Sequence, residues 1–157
     1  MQLYEALLSR LKTQHLAVPE IIKGLDQRQL LLPVVEDKWN IHQNIAHLAR
    51  YQQIFINRVE AMLTNDRLFF DRYVAAEDEQ FAFFTDNSTK SNVDHINRHR
   101  GDILNLVQSL AANKSAHLAT HAKFGPMDIT QWTEFFLLHE AHHLYTIFQL
   151  AQAVRQT

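Results

Sequence analysis

The sequence has no cysteine, which excludes disulfide bonds, thiolate metal sites and a cysteine nucleophile. It has only three glycines and three prolines, so few residues force a helix to end. No apolar run approaches the roughly 20 residues that span a bilayer, and the amphipathic N-terminal segment lacks the apolar block of a signal peptide. We therefore expect a cytoplasmic protein without a membrane partner.

The sequence also lacks a dominant charge. Its 15 basic and 17 acidic residues nearly balance, to a formal net charge of −2, and no basic run stands out. A nucleic-acid partner is therefore not expected. The 157 residues, 46% of them hydrophobic, are enough for a single domain, residues 1–157, with a core of its own. The unusual component is histidine, which occurs ten times.

Apolar residues recur with helical spacing in four long stretches, residues 2–16, 40–64, 92–113 and 128–155. A short helix is predicted at residues 19–26. Asn40 with Gln43, and Asp128 with Gln131, have the spacing of a capping box at a helix start. We find no strand-like alternation, so the predicted fold is all-α, a four-helix bundle.

The connection between the second and third long helices, residues 65–88, is far longer than an antiparallel hairpin needs. Extended chain spans ~3.3 Å per residue, whereas a helix of about 25 residues is only ~37 Å long, so this segment can cross the whole bundle. We predict a long crossover between parallel second and third helices. Its phenylalanines indicate that it packs on the bundle: Phe69, Phe70, Phe81, Phe83 and Phe84. The alternative is a fifth helix inserted in this connection.

The fourth predicted helix contains the segment HEAHH, from His139 to His143, which satisfies the H-E-x-x-H motif of zinc proteases. At ~100° per residue, His139 and His143 lie in the middle of the inward apolar stripe, at the spacing that lets two imidazoles bind one ion. Two buried imidazoles without partners are unfavourable, and a metal ion gives both rings a partner. The spacing therefore favours a metal pair over two hydrogen-bonded core histidines.

The protease interpretation fails on the rest of the sequence. Zinc proteases with this motif take a further ligand downstream, a Glu in one class and a His in another. Residues 144–157 contain no His, Asp, Glu or Gly. Such enzymes also place the motif helix beneath a sheet, and no strands are predicted here. A third ligand must therefore come from upstream.

The second predicted helix offers His42 and His47 as upstream ligands. His47 lies near the edge of the apolar stripe and can turn toward a pocket between helices. The alternative for His47 is a boundary histidine that is hydrogen-bonded to water. His42 lies almost opposite the stripe and is predicted to be a surface residue.

Four further histidines are assigned to the surface or to a solvated loop. On the third predicted helix, His95 faces away from the inward stripe and His99 borders it. His117 and His121 precede a Gly-Pro break in a predicted loop, where His121 could reach the mouth of a pocket, although a solvated loop is the preferred interpretation. His142 is predicted to point to the flank of its helix.

Two motifs resemble those of the DinB-like superfamily, which includes the YfiT-type proteins. Residues 39–49, WNIHQNIAHLA, resemble the Trp-led second helix of the family, whose ligand histidine corresponds to His47. The pair His139 and His143 fits the H-x-x-x-H motif of the family's fourth helix. The similarity covers nearly the whole chain. It implies a four-helix bundle with a crossover between the second and third helices.

The resemblance also implies that His47, His139 and His143 bind a divalent metal, nickel or zinc, and leave coordination positions open. Similar proteins are often homodimers. Members with known activities transfer or remove groups on low-molecular-weight thiols, or isomerise thiol-dependent substrates. For this chain the resemblance implies a small-molecule substrate, with a low-molecular-weight thiol as the candidate, and a homodimer.

A divalent metal that is held by three neutral imidazoles, with a coordination position left open, is a Lewis acid that activates water or a thiol. We therefore predict a metal-dependent enzyme of the hydrolase or thiol transferase type; the alternative is a non-catalytic metal-binding or stress-associated bundle protein. Glu140 is the candidate catalytic base or ligand-orienting residue, unless it pairs with Gln or Arg on the flank. Tyr51 and Arg58 follow His47 by one and three turns and are candidate pocket-lining residues for an anionic substrate group, unless they only pack at the boundary.

Overall fold

The computed structural model of the protein describes residues 3–64, 67–112 and 117–156. Its helices are α1 (Glu5–Thr13), α2 (Ala17–Ile21), α3 (Gln27–Leu31), α4 (Ile41–Thr64), α5 (Phe81–Asp86), α6 (Thr89–Ala112) and α7 (Ile129–Arg155). Its strands are β1 (Arg67–Phe70), β2 (Leu118–His121) and β3 (Gly125–Met127). The helices α1, α4, α6 and α7 form the predicted four-helix bundle. The predicted boundary residues Gln2, Asn65 and Asn113 lie outside the described residues.

Both predicted capping boxes are confirmed. At the start of α4, Gln43 N donates to Asn40 Oδ1 at 2.8 Å, and Asn40 N donates to Gln43 Oε1 at 3.0 Å. At the start of α7, Asp128 and Gln131 exchange the same two bonds. These pairs satisfy backbone N–H groups that have no partner within the helix. They therefore fix the starts of the two helices that carry the candidate ligands.

The N-terminal helical region is more broken than predicted. α1 ends at Thr13, and a 3₁₀ turn leads into α2, where Pro19 has no N–H with which to continue the ladder. Gly24, at φ 81, provides the left-handed turn after α2. Asp26 then accepts a hydrogen bond from Gln29 N at the start of α3. The predicted short helix is present as α2, but its predicted end near Asp26 is wrong, because Asp26 caps the next helix.

The crossover runs back along α4, as predicted. Its path is marked by four contacts: Arg58 with Asp71 O at 2.9 Å, Arg50 with Asp78 at 2.6 Å, Trp39 with Phe81 at 5.3 Å between ring centroids, and His42 with Thr85 O at 2.9 Å. As the crossover proceeds, its partners move from the end of α4 to its start. α6 begins beside that start, where His42 bonds Thr89 at 2.8 Å, so α4 and α6 are parallel. The alternative, an inserted helix, is present in reduced form as the six-residue α5.

A small sheet is absent from the sequence prediction. Among the described residues, β1 pairs in parallel with β2, and β2 pairs antiparallel with β3. Trp132 Nε1 donates to Ala119 O at 3.1 Å, which fastens the sheet to α7. Strands of three and four residues hold too few alternations to form a recognisable pattern. For that reason the expectation of a strand-free chain was wrong.

The core divides into two apolar clusters along the bundle. α4 contributes residues up to Ala49 to one cluster and residues from Tyr51 onward to the other. α7 makes the same change between Leu137 and Leu144. Buried polar residues lie on the helices at the level where the clusters meet, among them His47, Arg100 and Glu140. None of the described helices is long and apolar enough to cross a membrane.

Candidate metal centre

Three histidines meet in this polar layer. α4 supplies His47, and α7 supplies His139 and His143, which are one helical turn apart. One nitrogen from each ring lies within 4.8 Å of the others, and the Nε2 atoms of His47 and His139 are 2.9 Å apart. His47 is buried, and the other two rings are partly exposed. The structure thus brings together the three residues that the sequence analysis selected.

Asn44 orients one of these rings. Its Oδ1 accepts a hydrogen bond from His143 Nδ1 at 2.9 Å, and its own Nδ2 donates to Asn40 O at 2.8 Å. The donation to a carbonyl fixes which way the amide faces, so the proton of His143 is held on Nδ1 and the lone pair on Nε2. Asn44 precedes His47 by three residues on α4, which places both on the same side of the helix. That spacing is the sequence signal for this residue.

Replacement of Asn44 by Ala is expected to weaken metal binding by about 10–100-fold, the usual effect of losing an orienting partner of a ligand histidine. The ring of His143 would then lose its preferred tautomer and orientation. Competition titration with a chromogenic chelator measures the affinity. Gln53→Ala is the control, since Gln53 is on the same helix and bonds only Asn57 in the described structure. An unchanged affinity in Asn44→Ala would contradict the orienting role.

All three rings are neutral at physiological pH. Burial lowers the pKa of His47 to about 4 and that of His143 to about 3. Burial, with the neighbouring His143 and His47, lowers the pKa of His139 to about 2. Neutral imidazoles present lone pairs, and metal ions require that form of the ligand.

The donor set fits a divalent metal. Three imidazole nitrogens, without a thiolate or carboxylate in the cluster, suit a borderline ion such as zinc or nickel. Between themselves, His47 and His139 satisfy only one nitrogen each, and their Nδ1 atoms are buried without a protein partner among the described residues. These Nδ1 atoms are not the ones that converge, so the fit to a metal rests on the close approach of one nitrogen from each ring, the Nε2 atoms of His47 and His139 among them.

A cavity of about 480 Å³ opens onto the three histidines. Tyr51 and Arg58 line it, as predicted, and the ring of Tyr51 lies 4.0 Å from that of His139. Arg58 Nη1 donates to the hydroxyl of Tyr51 at 3.3 Å. Burial raises the pKa of Tyr51, so this hydroxyl keeps its proton at neutral pH. A neighbouring cavity of about 600 Å³ reaches His143 from another direction.

Aromatic residues outside the predicted set cover the site. Trp39 lies with its ring 4.9 Å from that of His47 and 6.1 Å from that of His143. Tyr73, from the crossover, stacks on His47 at 5.5 Å and donates its hydroxyl proton to Asp78 at 2.9 Å. The crossover has no periodic pattern, so sequence analysis could not place Tyr73 at the site. For Trp39 the signal was available, because it leads the family-like motif.

Glu140 turns away from the cluster. Its carboxylate forms a buried ion pair with Arg100 of α6, and Oε1 accepts a hydrogen bond from Gln14 Nε2 at 3.0 Å. The residue is 1% exposed and does not line the cavity. This geometry matches the alternative of pairing with Gln and Arg. We therefore assign Glu140 no catalytic role.

Several histidine assignments are corrected. His42 is buried, because α5 and the start of α6 cover the side of α4 that the sequence pattern left facing solvent. His121 is on β2 and only 3% exposed, and it lines the cavity, so the pocket alternative was the correct one. His95 is half-buried against Phe84 at 5.1 Å between ring centroids, although it was predicted to face solvent. His142 is exposed, as its position on the helix flank predicted.

The fold and the site together define a helical-bundle protein with a three-histidine site suited to a metal. Residues 10–147 match the DinB superfamily, and the chain belongs to this superfamily. The resemblance seen in the two motifs is therefore confirmed.

Similarity beyond the family is structural. The fold is similar to that of YfiT from Bacillus subtilis, described as a probable metal-dependent hydrolase with an unusual four-helix bundle topology. The two share 15% sequence identity at a TM-score of 0.79, over 95% of this chain and 86% of that one. No curated protein matches this chain in sequence.

Proposed function

We propose that this protein is a metal-dependent enzyme of the hydrolase or thiol S-transferase type, with nickel or zinc as its metal and a small molecule as its substrate. The proposal rests on one observation, a set of three histidine ligands that line a cavity. Structural zinc sites are closed by four protein ligands, whereas catalytic sites keep a position open. Among the described residues no fourth candidate ligand joins His47, His139 and His143.

A divalent ion held there supplies a Lewis acid next to the substrate. The chain's own residues supply position and polarity. The protonated hydroxyl of Tyr51 can donate a hydrogen bond to a substrate oxygen, and Trp39 and Tyr73 shield the ligands from bulk water. The two cavities that meet at His143 give room for two reactants, which supports a transferase with a low-molecular-weight thiol as one of them.

Metal-loaded protein is expected to turn over a member of a panel of thiol conjugates, esters and amides, and His143→Ala is expected to reduce turnover to background. The substitution removes one of three ligands and the lone pair that Asn44 orients. His99→Ala is the matched control, since it removes a histidine that is bonded to Asp102 on α6, away from the cluster. Steady-state kinetics on both variants makes the comparison.

Two outcomes would contradict the proposal. If His143→Ala works as well as the parent, the activity does not use this site. If the loaded parent binds one ion, is stabilised by it and turns over no substrate in the panel, a non-catalytic metal-binding role becomes the better explanation.

A further inference from the structure

The cavity next to the three histidines is lined by two arginines and by no acidic side chain among the described residues. Arg58 lines it, and Arg72 is exposed at its rim. No carboxylate belongs to the cavity wall within the described residues. The remaining lining groups are aromatic or aliphatic side chains and imidazoles, so nothing in the wall offsets the positive charge. A cavity of this kind attracts an anion.

Arg58 is held rigidly in this wall. Its guanidinium lies 5.4 Å from the ring centroids of both Phe70 and Trp132. Nη2 donates to Asp71 O at 2.9 Å, and Nη1 donates to the hydroxyl of Tyr51 at 3.3 Å. A guanidinium has five N–H donors, so donors remain for a further partner.

Other arginines packed in this fold have a carboxylate partner. Arg50 pairs with Asp78 at 2.6 Å, and Arg100 pairs with Glu140. Among the described residues Arg58 has no carboxylate within 4.0 Å, although it is only partly exposed. The rings of Phe70 and Trp132 attract the guanidinium, but they do not neutralise its charge. The missing counter-ion is the observation that points to a ligand.

We propose that Arg58 binds an anionic group of the substrate, a carboxylate or a phosphate, while the reacting end of that substrate lies at the three histidines. This inference rests on the proposed function. Tyr51 sets the spacing, because its hydroxyl contacts Arg58 and its ring lies against that of His139. The substrate's anionic group is therefore separated from its reacting atom by about the length of one tyrosine side chain.

The test uses the full chain loaded with cobalt(II), whose absorption band reports a thiolate at the metal. The probes are ω-mercaptocarboxylates, ω-mercaptoalkyl phosphates and neutral ω-mercaptoalcohols, matched in chain length. The parent is expected to bind one of the anionic series on the order of tenfold more tightly than the alcohol, as one charge-assisted contact gives. The chain length and the anionic group that bind most tightly identify the anionic group of the substrate and its distance from the thiol.

Arg58→Gln is expected to remove this preference, so that anionic and neutral thiols of one chain length bind alike, whereas Arg58→Lys keeps part of it. Arg28→Gln is the control, since Arg28 is exposed on α3 and its loss changes the net charge equally. The cobalt spectrum and the unfolding temperature of each variant confirm that site and fold are intact. Should Arg58→Gln fail to fold, Arg58→Lys and Tyr51→Phe provide the comparison, with a reduced preference expected in each.

The outcomes separate the two proposals. If cobalt does not bind, the proposed function fails. If cobalt binds and no thiol reaches it, the thiol S-transferase form of that function fails, together with the role of Arg58 in binding thiol substrates. If thiols bind and the parent shows no preference for an anionic series at any chain length, the proposed function stands and the role of Arg58 is refuted. An equal loss of preference in Arg28→Gln would also refute it, since the effect would then belong to net charge.

Discussion

Protein purified without an affinity tag is expected to contain about one equivalent of divalent metal per chain, and the variant with His47, His139 and His143 all replaced by Ala is expected to contain none. Among the described residues these three form the only cluster of at least three candidate ligands. Removal of the metal should also destabilise the parent. At a concentration of about 100 Kd an ion contributes ~2.7 kcal/mol, which at ~2–4 °C per kcal/mol corresponds to a fall in Tm of roughly 5–11 °C.

Elemental analysis and thermal unfolding, with and without a chelator, measure both effects. The control is the double variant His95→Ala and His99→Ala. These two residues have the same i, i+4 spacing on α6, with ring centroids 4.2 Å apart, but no third ligand joins them within the described structure. The control should keep its metal, which also excludes stray binding by a histidine-rich surface. Metal retained by the triple variant would place the ion elsewhere in the chain.

The arrangement of the long helices could be predicted, because it depends on the lengths of the helices and of the connections between them. The capping residues fixed the starts of α4 and α7, and the crossover is long enough to return along the bundle, which is the basis for predicting parallel α4 and α6. Short elements could not be predicted. The strand β1, of four residues, is formed by pairing with β2 about fifty residues later in the chain, and no local pattern records such a pairing.

Within the site, the positions that could be predicted are those that a helical wheel assigns to one face of a single helix. His139 and His143 share a face of one helix, and the spacing alone defines that face. His42 and His121 show the limit, because each was assigned from its own element. Both are buried by a different element, α5 with α6 for His42 and the neighbouring aromatic residues of α7 for His121. A residue's environment in a bundle depends on which segment returns to cover it.

The polar layer also contains a buried ion pair, Arg100 with Glu140, on the side of α7 away from the histidines. Arg100 and Glu140 are 3% and 1% exposed, and Arg100 Nη1 also donates to Leu11 O at 3.2 Å. The pair thereby links α1, α6 and α7 at the level where the two apolar clusters meet. It holds the helix that carries two of the ligands at a fixed rotation about its axis.

Replacement of Glu140 by Ala is expected to destabilise the protein by about 3–5 kcal/mol, because Arg100 is left buried without a counter-ion. In a chain of this size that cost lowers Tm by roughly 6–20 °C. Urea unfolding followed by circular dichroism measures the change. The double variant Arg100→Leu with Glu140→Leu should recover most of the loss, since an apolar pair leaves no charge in the interior.

Glu134→Ala is the matched control, a glutamate on the same helix that pairs with Arg10 at 2.5 Å, with side chains 25% and 38% exposed. Solvent reduces the value of such a pair to about 0–1 kcal/mol, so its loss should be small. Glu140→Gln tests for a catalytic role, because it removes the carboxylate and keeps one oxygen that can accept from Gln14 or Arg100. It also leaves Arg100 without a counter-ion, so a loss of stability is expected in this variant as well. We expect it to retain metal and turnover. A Glu140→Gln protein with full metal content and no activity would instead show that Glu140 takes part in the reaction. If Glu140→Ala loses no more stability than Glu134→Ala, the buried pair does not hold α7.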